Sequence, residues 1–156
     1  MSEIWKIHRP SGILVSEKGR IETYIGRPDR QRKIETFGSN HKGTKYRQTQ
    51  RNGITYLVHR LVLETFKPNK YPWLYDRCDH IDRNRANNYV KNLRWSNALL
   101  NRLNSDAKNV YETKNGTWKA VIGMYGEIYL GTYPTEQEAK EVVARAKEAA
   151  FEIIEY

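Results

Sequence analysis

The stretch Arg77-Cys-Asp-His-Ile-Asp-Arg-Asn-Arg-Ala-Asn-Asn-Tyr-Val-Lys-Asn-Leu-Arg-Trp-Ser-Asn-Ala-Leu-Leu-Asn101 decides how the rest of the chain is read. Its pattern predicts a strand over 77–81, a polar Asn-rich loop, a second strand over 93–95 and a helix near 97–104. Ser96 is the expected N-cap, with Leu99, Leu100 and Leu103 on the apolar side of the helix. Asp79 and His80 are adjacent, and neighbours on a regular strand address opposite faces. They can flank one phosphate if the strand ends or bends there. Asn92, just before the second strand, is placed to tie the loop backbone to itself and to fix the His80 carbonyl or ring.

Phosphodiester hydrolysis needs a water, a base to deprotonate it, and positive charge on the phosphate and leaving oxygen. A divalent ion on hard oxygen ligands supplies that charge. A neutral His can take the proton near pH 7. Asp79 and the amide oxygen of Asn101 are the candidate ligands, and His80 is the candidate base. On these residues alone a structural turn fits as well, because Asn runs usually mark turns.

Composition points to the class of partner. The chain has 156 residues, 38% of them apolar, and a mean hydropathy of −0.84. That suits one compact domain or two to three small modules. A formal net charge of +9 is the signature expected of a polyanion binder. The excess is uneven. Residues 135–156 hold Lys140, Arg145 and Lys147 against Glu136, Glu138, Glu141, Glu148, Glu152 and Glu155, so the basic surface is expected elsewhere. Cys78 is the single cysteine, which excludes an internal disulfide and a Cys-pair zinc site. No apolar run is long enough to span a membrane and no signal-peptide core is visible. The expectation is a soluble, cytoplasmic protein.

The flanks read as small β-rich units. Residues 2–25 alternate as short strands around the turn Glu17-Lys18-Gly19. Gly26 to Lys33 reads as an exposed basic loop, with Arg27, Arg30 and Arg32 as candidate phosphate contacts. Asn52-Gly53 between two β-prone runs predicts a hairpin. Leu61, Val62, Leu63 and Phe66 recur at helical spacing until Lys67-Pro68, and His59 at the start of that helix reads as a packing or capping residue. Beyond a linker at 104–107, three strand signals precede Thr135-Glu-Gln-Glu138, a capping box that opens a long amphipathic helix. Alternation sets Trp118, Ala120, Ile122 and Leu130 against that helix, and turns Tyr111, Lys119, Val121, Gly123 and Tyr129 outward.

The central residues resemble the HNH homing endonucleases of phages and introns. The match runs through Asp79-His80-Ile81-Asp82, Asn87-Asn88, Asn92-Leu-Arg-Trp and Asn101, preceded by Val58-His-Arg-Leu-Val-Leu-Glu-Thr-Phe66. The resemblance implies a ββα-metal finger in which His80 is the general base, Asp79 and Asn101 bind the ion, and Asn92 fills the structural middle position. Asn101 stands where many members have His. Glu3-Ile-Trp-Lys and Val15-Ser-Glu-Lys-Gly-Arg-Ile are similar to a small N-terminal module that often precedes HNH. Residues 109–150 resemble an ethylene-response-factor (Apetala) type DNA-binding domain, through Val110-Tyr111, Trp118-Lys-Ala, Leu130-Gly-Thr-Tyr133 and the Ala-rich helix. Such a domain lays its sheet on the major groove. This face has few arginines and includes Glu127, so positioning by Lys114, Lys119 and the tyrosines is expected instead of base readout.

The expected architecture is α+β, with a β-rich module over 1–45, an HNH finger over 46–105 and the Apetala-type domain over 106–156. The expected activity is metal-dependent cleavage of double-stranded DNA, with Mg²⁺ as cofactor and Mn²⁺ as the alternative. Duplex contacts are expected from Arg27, Arg30, Arg32, Arg94, Tyr111, Lys114, Lys119 and Tyr129. A phage-encoded enzyme of this kind acts in a bacterial cytoplasm. One site per chain suits nicking by a monomer, whereas a homodimer could cut both strands. The other reading is a non-catalytic DNA-binding protein or an inactivated nuclease relic.

Overall fold

The computed structural model describes residues 2–25, 32–40, 43–124 and 126–154. The fold is α+β, as expected, and the chain divides after Ser96 into two compact units.

In the first unit, β1 (Trp5–His8), β2 (Ile13–Ser16), β3 (Ile21–Ile25) and β4 (Arg32–Thr36) form an antiparallel sheet in chain order. A second sheet is built from β5 (Ser39–Asn40), β6 (Arg47–Arg51) and β7 (Ile54–Leu57). The β6–β7 turn is the one the sequence predicts. Asn52 and Gly53 both take positive φ, at 51° and 77°, as a two-residue hairpin turn requires. Helix α1 (Val58–Phe66) follows directly, and β8 (Arg77–His80) then pairs with β9 (Leu93–Ser96) as an antiparallel hairpin.

Helix α1 organises this unit. Its Val58, Leu61, Val62 and Leu63 are buried with Ile13, Val15 and Ile21 of the first sheet and Leu93 of β9. A fully buried aliphatic side chain contributes about 1.5–3 kcal/mol, so one shared core of this kind holds both sheets and the hairpin to the helix. The boundary expected at 45/46 therefore lies inside one compact unit. Lys67 closes the arrangement: its N–H donates to the Leu63 carbonyl and its Nζ to the Leu93 carbonyl at 2.9 Å.

One expectation is corrected here. Arg32 and Lys33, read as loop, are strand residues opposite Ile25 and Tyr24. Lys33 Nζ lies 2.6 Å from Glu22, so cross-strand charge pairing supports a strand whose apolar alternation is too sparse to show in the sequence.

The second unit contains α2 (Ala98–Leu103), β10 (Val110–Glu112), β11 (Trp118–Gly123), β12 (Glu127–Tyr133) and α3 (Glu136–Ile154). The three strands are antiparallel in chain order. Thr135 and Glu138 form the expected capping box, each side chain accepting from the other's backbone N–H at 3.2 Å. Ala139 and Val143 of α3 are buried with Val110 and Ala120, while Ala150 packs with Ile122 and Leu103.

Two local expectations change. The N-cap of α2 is Asn97, whose side chain accepts from the Leu100 N–H at 2.9 Å. Ser96 instead ends β9, paired with Arg77 and fully buried. Val121 was expected outward but is only 4% exposed. The β11–β12 register shifts between Ala120 and Val121, so Ala120, Val121 and Ile122 are all buried in succession. Among the described residues no helix is long and apolar enough to cross a membrane.

Candidate active site

The β8–β9 hairpin presents Asp79 and His80 on opposite faces, as alternation demands. Asp79 is paired with Arg94 across the ladder and His80 with Leu93. Both are 5% exposed. Arg94 Nε donates to Asp79 Oδ2 at 3.0 Å, and Arg94 Nη2 lies 3.0 Å from the same oxygen. Arg94, expected on DNA, is thus engaged by the Asp79 carboxylate.

His80 is fixed from several sides. Its Nε2 lies 3.0 Å from Asn88 Oδ1 within the interior. With that amide oxygen accepting, Nε2 bears the proton and Nδ1 is the basic nitrogen of the neutral ring. Asn88 is 2% exposed and its Nδ2 has no hydrogen-bond partner. The turn between β2 and β3 backs it. A Cβ on Gly19 would meet the Asn88 Cβ at 2.5 Å, and Val90 N–H donates to the Glu17 carbonyl at 2.8 Å. The rings of His59 and Tyr46 enclose the imidazole, with centroids 5.2 Å and 5.9 Å from it. The Arg85 guanidinium stands 5.1 Å over the Tyr46 ring.

Burial holds His80 below the ordinary histidine value. The Asn88 contact and the Asp79 and Asp82 carboxylates act the other way, while Arg85 adds to the lowering. A base kept neutral in this way is ready to accept a proton at physiological pH. His59 is affected more. Burial first, then the neighbouring His80 and Arg60, push it down to about 3. Its Nδ1 is buried without a hydrogen-bond partner.

Asn92 ties the intervening loop to itself, as expected. Its Oδ1 accepts from the Asp82 N–H at 3.0 Å, and its Nδ2 donates to Asp82 Oδ1 at 2.8 Å and to the Asn87 carbonyl at 2.9 Å. Burial opposes ionisation of Asp82, but hydrogen bonds from Asn87, Asn92 and the Asn84 N–H outweigh it and hold the carboxyl below its usual range. Fixing His80 falls to other residues. Its carbonyl accepts from the Arg83 N–H at 2.9 Å, and its ring is held by Asn88.

The remaining expected residues are placed as follows. Asn101 is exposed on α2, in the second unit. Arg27 and Arg30 lie outside the described residues, and Arg32 is exposed on β4. Lys114 is exposed in the β10–β11 turn. Lys119 Nζ is 2.7 Å from Glu127, Tyr111 donates its hydroxyl to the Lys108 carbonyl, and the Tyr129 hydroxyl is 2.7 Å from Thr132 Oγ1. Tyr111 and Tyr129 still show 39% and 60% of their surface. Lys108 Nζ stands 5.1 Å over the Tyr111 ring.

Tyr46 and Asn88 have no role that the sequence alone reveals, and His59 reads there only as a packing or capping residue. The Asn87-Asn88 doublet was a signal for Asn88. For Tyr46 there was none, because its position depends on how β6 meets α1.

Among the described residues no group of three or more His, Cys, Asp or Glu side chains converges to hold an ion. Of the two ligands expected for an ion, Asp79 lies in the first unit, where Arg94 binds it, and Asn101 lies in the second. Mg²⁺ commonly keeps several waters and binds through one or two carboxylates together with substrate phosphate. Comparison with protein-family models, curated proteins and solved structures gives no match to this chain.

Proposed function

We propose that this chain is a metal-dependent DNA endonuclease of the HNH type that hydrolyses phosphodiester bonds in double-stranded DNA. The observation that carries this reading is the state of His80. It is a buried imidazole, held below its ordinary value by burial, with Nε2 on Asn88 and a carboxylate as its chain neighbour.

In this mechanism Nδ1 of His80 takes a proton from a water aimed at the phosphorus. The resulting imidazolium is stabilised by the Asn88 amide oxygen and by the Asp79 and Asp82 carboxylates. Asn92 and Asp82 keep the loop that carries Asn88 from shifting during that transfer. A divalent ion such as Mg²⁺ or Mn²⁺, with Asp79 as a protein ligand beside water and substrate phosphate, would supply positive charge to the phosphate and the leaving oxygen. The overall charge of +9 holds the duplex through its phosphates.

The test is cleavage of supercoiled plasmid carrying the gene's own genomic flanks, with Mg²⁺, Mn²⁺ or EDTA. Nicked or linear product that EDTA abolishes supports the reading; intact plasmid under both metals sinks it. A second reading, a non-catalytic DNA-binding protein, is favoured by one observation: the Asp79 carboxylate is bound by Arg94. DNA binding without product in the same assay would select it.

A further inference from the structure

We propose that the loop between α1 and β8 is a DNA wedge, with Trp73 entering the base stack of the duplex near the cut. This rests on the nuclease reading above. Tyr71, Trp73 and Leu74 are 53%, 80% and 51% exposed. Single exposed apolar residues need no explanation, but three within four positions form a tip. Tyr71 and Trp73 meet each other edge to face, centroids 5.8 Å apart at 82°.

Hydrogen bonds within the loop fix the shape of that tip. Asn69 Oδ1 accepts from the Tyr71 N–H at 3.0 Å, and Asn69 Nδ2 donates to the Tyr75 carbonyl. The Leu74 and Tyr75 N–H groups both donate to the Tyr71 carbonyl, at 3.0 Å and 2.9 Å. Pro68 and Pro72 restrict the backbone further. A depression lined by Pro68, Asn69, Pro72, Tyr75 and Trp95 lies against the loop, and Trp73 is not among its lining residues. Order is therefore already present before any partner arrives, which is what a wedge needs.

Charge selects the partner. Lys70 and Arg77 flank the tip, Arg77 with Asp76 at 3.7 Å, and Arg60 and Glu64 line the depression beside it, on a chain of net charge +9. A second copy would bring these like charges together, whereas a duplex supplies phosphates for the collar and base faces for the ring. Side chains pushed between base steps unstack them and kink the duplex, and aromatic stacking on bases tolerates any sequence. Trp73 and Asp79 are six positions apart, so the two are at most about 20 Å apart along extended chain, or about six base steps. Wedge and hairpin thus act on the same stretch of duplex.

The test measures binding of the full chain in EDTA to two short duplexes of identical sequence, one with a central bulge that is already unstacked. The wild type should prefer the bulged duplex about tenfold. Trp73→Ala should bind both alike, and Trp73→Phe should restore most of the preference. The fluorescence of 2-aminopurine beside the bulge should change with wild type and not with Trp73→Ala. Equal preference in wild type and Trp73→Ala, with DNA binding intact, overturns the wedge and leaves the nuclease reading standing. No DNA binding by either overturns both. A concentration-dependent dimer that Trp73→Ala abolishes also overturns the wedge, by assigning the tip to self-association.

Discussion

A methyl group added to Gly19 would lie 2.5 Å from the Cβ of Asn88 and 2.9 Å from its carbonyl oxygen. The turn of an N-terminal hairpin is therefore in contact with the side chain that holds His80. Gly19 also has φ +81°, where a side chain is strained even in open space.

Gly19→Ala should thus do two separable things. Backbone strain should cost about 1–2 kcal/mol, and displacement of Asn88 should lower the cleavage rate at least tenfold with DNA affinity unchanged. Gly116→Ala is the control, since Gly116 has φ +73° but nothing within 4 Å of the added carbon. It should show the strain and keep full activity. Denaturant melts and turnover rates check both.

His59 sets an acid limit on stability. Its value falls from 6.5 in the unfolded chain to about 3 in the fold, so the unfolded state binds the proton first. The stabilisation is complete above about pH 6.5 and is lost as pH falls toward 3. Roughly 2 kcal/mol should be gone at pH 5 relative to pH 7. Urea melts of wild type and His59→Gln should diverge in pH slope over that range, with the variant flatter.

What the sequence reveals of this molecule is mostly what is local. Asn52-Gly53, the capping box at Thr135 and the apolar spacing of α1 each describe a few consecutive residues, and each forms where the pattern places it. Alternation likewise separates Asp79 from His80. The surroundings of His80 are harder to read, because they depend on packing between distant segments. Tyr46 is the residue just before β6, His59 comes from α1, and Asn88 is braced by a turn almost seventy residues earlier in the chain. The Val121 side changes for a related reason. The bulge depends on pairing with β12, and period-two counting along one strand does not contain it.

Asn92→Ala removes three side-chain hydrogen bonds that close the 81–92 loop. At about 1 kcal/mol each, the loss should be near 2–3 kcal/mol, concentrated in this loop. Hydrogen exchange should show faster exchange at the Asp82 amide and little change in the second unit. Unchanged protection at Asp82 would argue against the structural role of Asn92.

Arg94→Leu removes the guanidinium that binds the buried Asp79 carboxylate, the two side chains being 19% and 7% exposed. Removal of one partner should cost about 3–5 kcal/mol. Adding Asp79→Asn should recover part of that loss, because the carboxylate charge that Arg94 offsets is then gone. Thermal melts of the two single variants and the double variant close the cycle.

The most direct measurement compares wild type with His80→Ala: turnover on the genomic-flank plasmid with Mg²⁺, and affinity for the same DNA in EDTA. If His80 is the base, turnover should fall by at least about a hundredfold while affinity stays within about threefold. Cleavage by His80→Ala at the wild-type rate, or an equal loss of binding and cleavage, would contradict the account.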